Sequence, residues 1–381
     1  MFKDLKTEKI SYKYSNSRNK AIDSIDFKTS NGRRTALLGE NGCGKSTLIY
    51  HLNGVYKPLS GTVTYGNEPI SYNRDFLTEL RSNVSVVLQN PDDQIFSSTV
   101  EEDVAMGPMN AGFSHEEVTE RIISSLESVG MSEFAQVPIQ RLSYGQKKRV
   151  SLAGALALHP KILILDEPTA GLDSQMSREV MEITDSLTKD GITVVVSSHD
   201  VNLIYPWVDD MYVMRNGKMI YSGGPDKFFE DRSSVYLSGL KQPLIFGINY
   251  NIESLKKKSV TPYPKTMSQI ISKMFPMDGS TGTIFVYYTE GEKIDQHTLE
   301  EAVGKKGIPT AVYGSFARRE ASKSNLRVDF FFNGMEGCVS EAMINHDSLI
   351  IVDRNLKESL LKTLETLKEF GTEIRTREVT L

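Results

Sequence analysis

Short apolar runs separated by longer stretches of helical spacing fill roughly the first 238 residues of this 381-residue chain. The runs at 35–38, 85–88, 162–165 and 193–196 are dense in Val, Leu and Ile, the pattern of strands buried on both faces of a parallel sheet. Between them, 101–127 and 146–158 read as mainly helical. Gly107-Pro108 is expected to interrupt the first of these, because proline lacks the N–H that a helix interior uses. The alternating stretch 211–223 is divided by Asn216-Gly217, a strong hairpin signal. Strands alternating with helices in this way predict an α/β fold with a parallel sheet.

Beyond residue 240 the pattern loosens. Pro243, Pro262, Pro264 and Pro276, with Lys256-Lys257-Lys258, suggest a connecting segment over 240–282. Strands are then predicted at 283–289, 326–332, 348–352 and 373–379, with helices near 296–306, 336–345 and 355–370, so 283–381 reads as a smaller α/β accessory domain. The expected division is therefore 1–239, 240–282 and 283–381. No internal repeat is evident, which sets a solenoid aside.

Composition narrows the functional classes. A chain that is 39% apolar and 24% charged, with net charge −5, has an ordinary globular balance that does not favour nucleic acid as a partner. Cys43 and Cys338 are too few for a disulfide framework and fit a reducing cytoplasm. The charged start Met1-Phe2-Lys3-Asp4 lacks the apolar core of a secretory signal. No apolar run approaches the roughly 20 residues needed to span a bilayer, so the chain by itself is not expected to form a translocation pathway.

The chemistry begins at Gly39-Glu40-Asn41-Gly42-Cys43-Gly44-Lys45-Ser46-Thr47, a match to G-x-x-x-x-G-K-[ST] between an apolar run and a helix. Small residues there let backbone N–H groups turn around a polyphosphate, and the following helix N-terminus favours an anion. Lys45 is placed to reach the β- and γ-phosphates, and Ser46 to ligate Mg²⁺. The apolar run 162–165 ends in Asp166-Glu167, which sets two carboxylates at the carboxyl edge of a strand, where open α/β sheets bind ligands. Asp166 suits a metal and Glu167 suits polarising a water. A bare glycine turn, or a strand end closed by Pro168, would account for either motif alone but not for both.

Leu142-Ser143-Tyr144-Gly145-Gln146, running into Lys147-Lys148-Arg149, makes the pattern specific. The chain resembles the ATP-binding subunit of an ABC transporter, whose signature is usually Leu-Ser-Gly-Gly-Gln. Tyr144 departs from it, and its side chain would be costly if the position required a positive φ. The other expected parts follow in order: Gln89 as the Q-loop glutamine, 170–173 as the D-loop, His199 as the switch histidine. Taken singly, Gln89 and His199 read as ordinary loop or packing residues; their ordered spacing carries the functional reading. The resemblance covers about 3–238 and implies a P-loop ABC-type nucleotide-binding domain with RecA-like core, helical subdomain and β-subdomain. It also implies Mg²⁺ held by Ser46, Gln89 and Asp166, and Glu167, His199 and Gln89 as catalytic residues. ATP would be contacted by 39–47, by Ser143 and Gly145, and by an aromatic, Tyr14 or its competitor Tyr12.

A finer resemblance rests on 87–96, Thr99-Val100-Glu101-Glu102-Asp103-Val104-Ala105, Gly107-Pro108 and 147–150. These look like the energy-coupling-factor type and its cobalt/nickel import ATPases. That similarity implies a peripheral subunit on the cytoplasmic face of the cell membrane, docked on a transmembrane coupling protein that works with a membrane substrate-binding protein. Two cassettes would pair head to tail, as a homodimer or with a related ATPase. A vitamin importer of the same type, a soluble ABC ATPase and a nucleotide-dependent regulatory protein are the alternatives. In the second domain His297, His346 and Cys338 are too isolated for a metal site, and 314–319 reads as a solvated basic loop before an anion-binding turn.

Overall fold

In the computed structural model, which describes residues 3–277, 281–292, 294–324 and 326–380, the chain divides into two units, Met1–Pro243 and Leu244–Leu381. The strands of the first are β1 (Leu5–Tyr12), β2 (Ile22–Lys28), β3 (Arg34–Leu38), β4 (Ser60–Tyr65), β5 (Glu68–Pro69), β6 (Val84–Val87), β7 (Ile162–Asp166), β8 (Thr193–Ser198), β9 (Asp210–Arg215) and β10 (Lys218–Gly223). Its helices are α1 (Lys45–Leu52), α2 (Arg74–Asn83), α3 (Val100–Asn110), α4 (His115–Ser128), α5 (Tyr144–Leu156), α6 (Ser174–Lys189), α7 (Val201–Ile204), α8 (Pro225–Glu230) and α9 (Arg232–Ser238).

Two sheets clamp α1. One is antiparallel, ordered β2-β1-β4-β5; the other runs β10-β9-β3-β8-β7-β6 and is parallel from β9 to β6. β7 and β8 are buried at every position, which explains their unbroken apolar runs. Leu48, Ile49 and Leu52 of α1 pack with Ile10, Ile25, Leu37 and Ile164 in a core drawn from both sheets. α3, α4 and α5 pack on one another as a helical layer.

The interruption expected at Gly107-Pro108 falls elsewhere. Pro108 lies inside α3, and the helix ends two residues later because Gly112 takes φ +85 and Ser114 caps α4 in a reciprocal box with Glu117. A proline this near a C-terminus removes one hydrogen bond, which a helix tolerates better than a break in its middle.

The second unit carries α10 (Leu244–Leu255), α11 (Met267–Met274), β11 (Thr283–Thr289), α12 (Gln296–Val303), β12 (Thr310–Tyr313), α13 (Ser315–Lys323), α14 (Gly334–Met343), β13 (Ser348–Asp353), α15 (Lys357–Glu369) and β14 (Arg375–Val379). Its parallel sheet is ordered β12-β13-β11-β14. Apolar clusters cover both faces, one including Leu299, Ala317 and Ile351, the other Val339, Leu360 and Val352.

Most of the stretch expected as a connector is thus ordered as α10 and α11. Buried Phe246, Asn249 and Glu253 follow helical spacing, and Lys273 of α11 donates to the Val260 and Pro262 carbonyls, tying down the proline-rich turn that dominated the sequence pattern. The strand expected at 326–332 is also displaced. Phe330 makes only an isolated bridge to Ala311, while Thr310–Tyr313 supplies the strand and Asp329 accepts from the Thr310 N–H.

Candidate active site

The phosphate loop joins the end of β3 to α1. A Cβ on Gly39 would stand 2.4 Å from the Met214 carbonyl oxygen, so glycine alone lets the chain leave β3 this close to β9. Gly44, N-cap of α1, takes φ 112, a region L-residues avoid. The loop is braced from outside: the Gly217 N–H donates to the Cys43 carbonyl at 2.9 Å, and the Gly217 carbonyl accepts from Asp23 N–H at 2.7 Å. The Asn216-Gly217 turn, recognisable in sequence only as a hairpin, therefore buttresses the loop.

Lys45 opens α1 and is 6% exposed. Its ammonium donates to the Gly39 carbonyl at 2.8 Å and the Glu40 carbonyl at 3.3 Å, and stands 3.1 Å from Glu167 Oε1. β7 delivers Asp166 and Glu167 with both side chains buried. Asp166 Oδ1 accepts from Ser197 Oγ on β8, its partner in register. Glu167 leaves the strand with φ +44, an uncommon conformation for a residue with a Cβ. Its N–H donates to Ser197 Oγ at 2.9 Å and to the Ser197 carbonyl at 3.2 Å, which holds that turn. Glu167 Oε2 lies 2.9 Å from His199 Nδ1, whereas Oε1 has the Lys45 ion pair and no hydrogen bond.

A cavity of about 490 Å³ opens beside these groups, lined by Tyr14, Ala21, Asn41, Gly42, Gly44, Lys45, Ser46, Thr47, Gln89 and Glu167. The structure thus brings together the loop, Gln89 and Glu167, with His199 touching Glu167. Between the two aromatic candidates, Tyr14 lines the cavity, with its hydroxyl 2.9 Å from Thr47 Oγ1, while Tyr12 is stacked on Tyr56 with ring centroids 5.0 Å apart. The oxygen donors of Ser46, Gln89 and Asp166 are of the hard kind that Mg²⁺ prefers; Ser46 and Gln89 line the cavity, whereas Asp166 lies outside its lining with Oδ1 engaged by Ser197, and the under-bonded buried oxygen of Glu167 suits a site that receives a polar ligand.

Four expected contacts are placed differently. The Cys43 side chain turns inward to the core beneath the loop, where burial raises its thiol pKa, so only its backbone is available at the loop. The Glu40 carboxylate lies against Gly239 at the end of α9, where an added Cβ would meet it at 2.1 Å. Ser143 and Gly145 are not among the residues of this cavity. They open α5, with Ser143 as N-cap in a reciprocal box with Gln146, and Met176 covers Gly145 so closely that an added Cβ would stand 2.3 Å from its Cε.

Tyr144 is the first residue of α5, within the helix, so it needs no left-handed backbone; its ring lies over Gly171 of the 170–173 loop. Lys148, one turn further on, is marked by the sequence only as part of the basic run 147–149, not as a residue of the site. Only 3% exposed, it donates to the Gln89 carbonyl, and burial pushes its pKa down to about 8. The signal was its spacing: Lys148 shares a helical stripe with Gly145, Leu152 and Ala155.

A lysine that can exchange a carboxylate for a terminal phosphate, next to a carboxylate that can take a proton from water, is the arrangement of a P-loop ATPase, here on an ABC-type fold. Residues 22–170 match the ABC transporter family. The chain is 36% identical over 357 residues to the energy-coupling factor transporter ATP-binding protein EcfA2 of Methanospirillum hungatei, covering 91% of this chain and 88% of that one. An alignment of that length extends past Pro243 into the second unit. Among solved structures, CbiO1 of Clostridium perfringens, part of the ABC transporter complex cbiONQ, shares 37% identity with TM-score 0.57 over 66% of this chain and 98% of its own. An ATP-binding cassette solved as a dimer in a post-hydrolysis state with ADP and Pi shares 27% identity with TM-score 0.53, over 58% of this chain and 98% of that one. The chain belongs to the energy-coupling factor transporter ATP-binding proteins, ATP-hydrolysing subunits of ABC transporters. Among the described residues no helix is long and apolar enough to cross a membrane.

Proposed function

We propose that this chain powers import of a transition-metal ion, cobalt or nickel, through separate membrane subunits, from a peripheral position on the cytoplasmic face of the membrane. The observation that carries the hydrolytic part is the trio Lys45, Glu167 and His199, in which buried Glu167 lies 3.1 Å from buried Lys45 and 2.9 Å from the exposed His199. The metal-ion cargo is supported by the resemblance of 87–96, 99–105, 107–108 and 147–150 to cobalt/nickel import ATPases.

In this reading ATP enters the cavity with its phosphates on the loop amides of 39–47 and its adenine on Tyr14. Lys45 turns from Glu167 to the β- and γ-phosphates, which frees Glu167 to accept a proton from the attacking water while His199 holds its other oxygen. Ser46, Gln89 and Asp166 are the residues that would hold Mg²⁺, which when bound offsets charge on the phosphate oxygens. Ser143 and Gly145 complete the site of a second cassette, either another copy or a related ATPase. Their absence from the lining of this chain's own cavity and the likeness to a dimeric cassette with ADP and Pi favour that pairing. Closure of such a pair on ATP and release after hydrolysis would move docked membrane subunits between two states.

The test is transport in vesicles containing the chain and its co-purified membrane partners, with radiolabelled cobalt or nickel and internal or external ATP. ATP-dependent metal uptake that vanishes with Glu167→Gln is the expected result. Uptake of a vitamin with no metal uptake would replace the cargo assignment and leave the ATPase reading intact.

A further inference from the structure

α5 begins with the Ser143–Gly145 segment and then grips the stretch that carries Gln89 at three points. Lys147 forms an ion pair with Asp92 at 2.6 Å, Gln94 donates to the Ser151 carbonyl at 3.1 Å, and Lys148 donates to the Gln89 carbonyl. The first of these contacts is at the surface, where ion pairs contribute little. Lys148 differs, because its side chain is buried and its ammonium also donates, at 3.5 Å, to the carbonyl of Glu167. An ammonium has three donors and no acceptor, so one buried group can tie two carbonyls from different strand ends. Here those are the residue after β6–Leu88 and the residue after β7, Gln89 and Glu167 themselves.

The Glu167 peptide is the part of the site that most needs holding. With φ +44 it persists because its neighbours over-determine it: Ser197 takes its N–H, and its carbonyl accepts from the Ala170 N–H at 3.1 Å as well as from the Lys148 ammonium. A methionine of similar length would fill the space around the Lys148 stem at no desolvation cost, yet it would leave both carbonyls without this donor.

We propose that Lys148 is a positioning residue for hydrolysis, fixing the Gln89 stretch and the Glu167 turn relative to each other. Because it sits on α5, it links these residues, which serve the chain's own site, to the signature segment offered to the second cassette. Lys148 acts through the two carbonyls and touches neither nucleotide nor water. The inference rests on the roles given above to Gln89 and Glu167.

The experiment compares ATP affinity and steady-state phosphate release for the full-length chain, Lys148→Met, Lys148→Arg and Glu167→Gln. Lys148→Met is expected to bind ATP within about twofold of the unaltered chain and to lose roughly 10- to 100-fold in kcat, the scale of a small misplacement at a reacting centre. Lys148→Arg, which keeps donors at that depth, is expected to recover a large part of the loss. Should Lys148→Met fold poorly, Lys148→Leu, which likewise lacks a donor, takes its place with the same kcat-against-affinity comparison. Normal kcat in Lys148→Met beside an inactive Glu167→Gln would overturn the role of Lys148 alone. Equal losses in affinity and kcat, with no rescue by arginine, would reduce it to packing. Near-normal turnover in Glu167→Gln would remove the reading on which the inference stands.

Discussion

Glu167 is held on one side by Lys45 and on the other by His199, so its two neighbours should separate binding from chemistry when the site is altered. Glu167→Gln keeps the shape while losing the proton acceptor. Phosphate release is expected to fall about 10²- to 10⁴-fold with ATP affinity retained. Lys45→Ala leaves phosphate charge unmatched, and ATP affinity should drop roughly 10- to 100-fold, the worth of a hydrogen bond to a charged group. Affinity by equilibrium titration and phosphate release by a coupled assay check both; unchanged affinity in Lys45→Ala would remove its assignment. The cysteines are a second residue-scale test. Cys43 is buried under the loop, and burial pushes the Cys338 thiol up to about 12. Neither should react with a thiol reagent at neutral pH, with or without ATP, until denaturant is added. Rapid native labelling of Cys43 that ATP slows would place it at the phosphate surface instead. The motif shows that position 43 is in the loop but is silent on which way a side chain points within it.

At the scale of elements, α1 carries a pH-dependent weakness. His51 is fully buried near the end of the helix; its Nδ1 is 2.6 Å from the Thr47 carbonyl, Nε2 has no hydrogen-bond partner, and the ring packs in edge geometry with Tyr12 and Tyr56. With Nδ1–H donating to the carbonyl, the ring has nowhere to place a second proton, and burial lowers its pKa below the ordinary 6.5. The unfolded chain then binds more protons below pH 6.5, so stability is full above that value and is lost as pH falls through the folded pKa. Denaturant melts from pH 7.5 to 5 should show this loss, and His51→Gln, which keeps a donor without a titrating ring, should flatten it. Identical slopes in both proteins would contradict the assignment.

Elements also show where reading the sequence succeeds and where it stops. β7, β8 and the loop between β3 and α1 were legible because burial on both faces and a phosphate loop each impose an unusual local pattern. β12 was not, since four residues after Pro309 carry little periodicity and the longer run at 326–332 competes with them. α10 and α11 were hidden by the prolines between them. The stretch 314–319, expected as a solvated basic loop, instead opens α13 and shows a related limit. The α13 amides of Phe316 and Ala317 donate to Asp353 at the end of β13, contacts 37 and 36 residues apart that no local pattern displays.

For the whole molecule, the cavity residues all precede Pro243, and the first unit continues past the division expected at 239. Leu240 is buried and Gln242 donates to the Phe229 carbonyl at 2.6 Å, so a cut after Pro243 should preserve packing that a cut after Gly239 exposes. A chain ending at Pro243 is expected to bind ATP like the full protein, as judged by titration of the folded fragment. A folded fragment without affinity would mean that Leu244–Leu381 contributes to the nucleotide site. The central claim is larger: that each site needs the loop of one cassette and the Ser143 segment of another. It is tested most directly by mixing two inactive chains, Lys45→Ala and Ser143→Arg, carrying different tags and isolated as mixed dimers. Such a dimer pairs the intact loop of one chain with the intact signature of the other, and phosphate release should return above that of either parent. Mixed dimers as inactive as both parents would contradict a site shared between two copies of this chain.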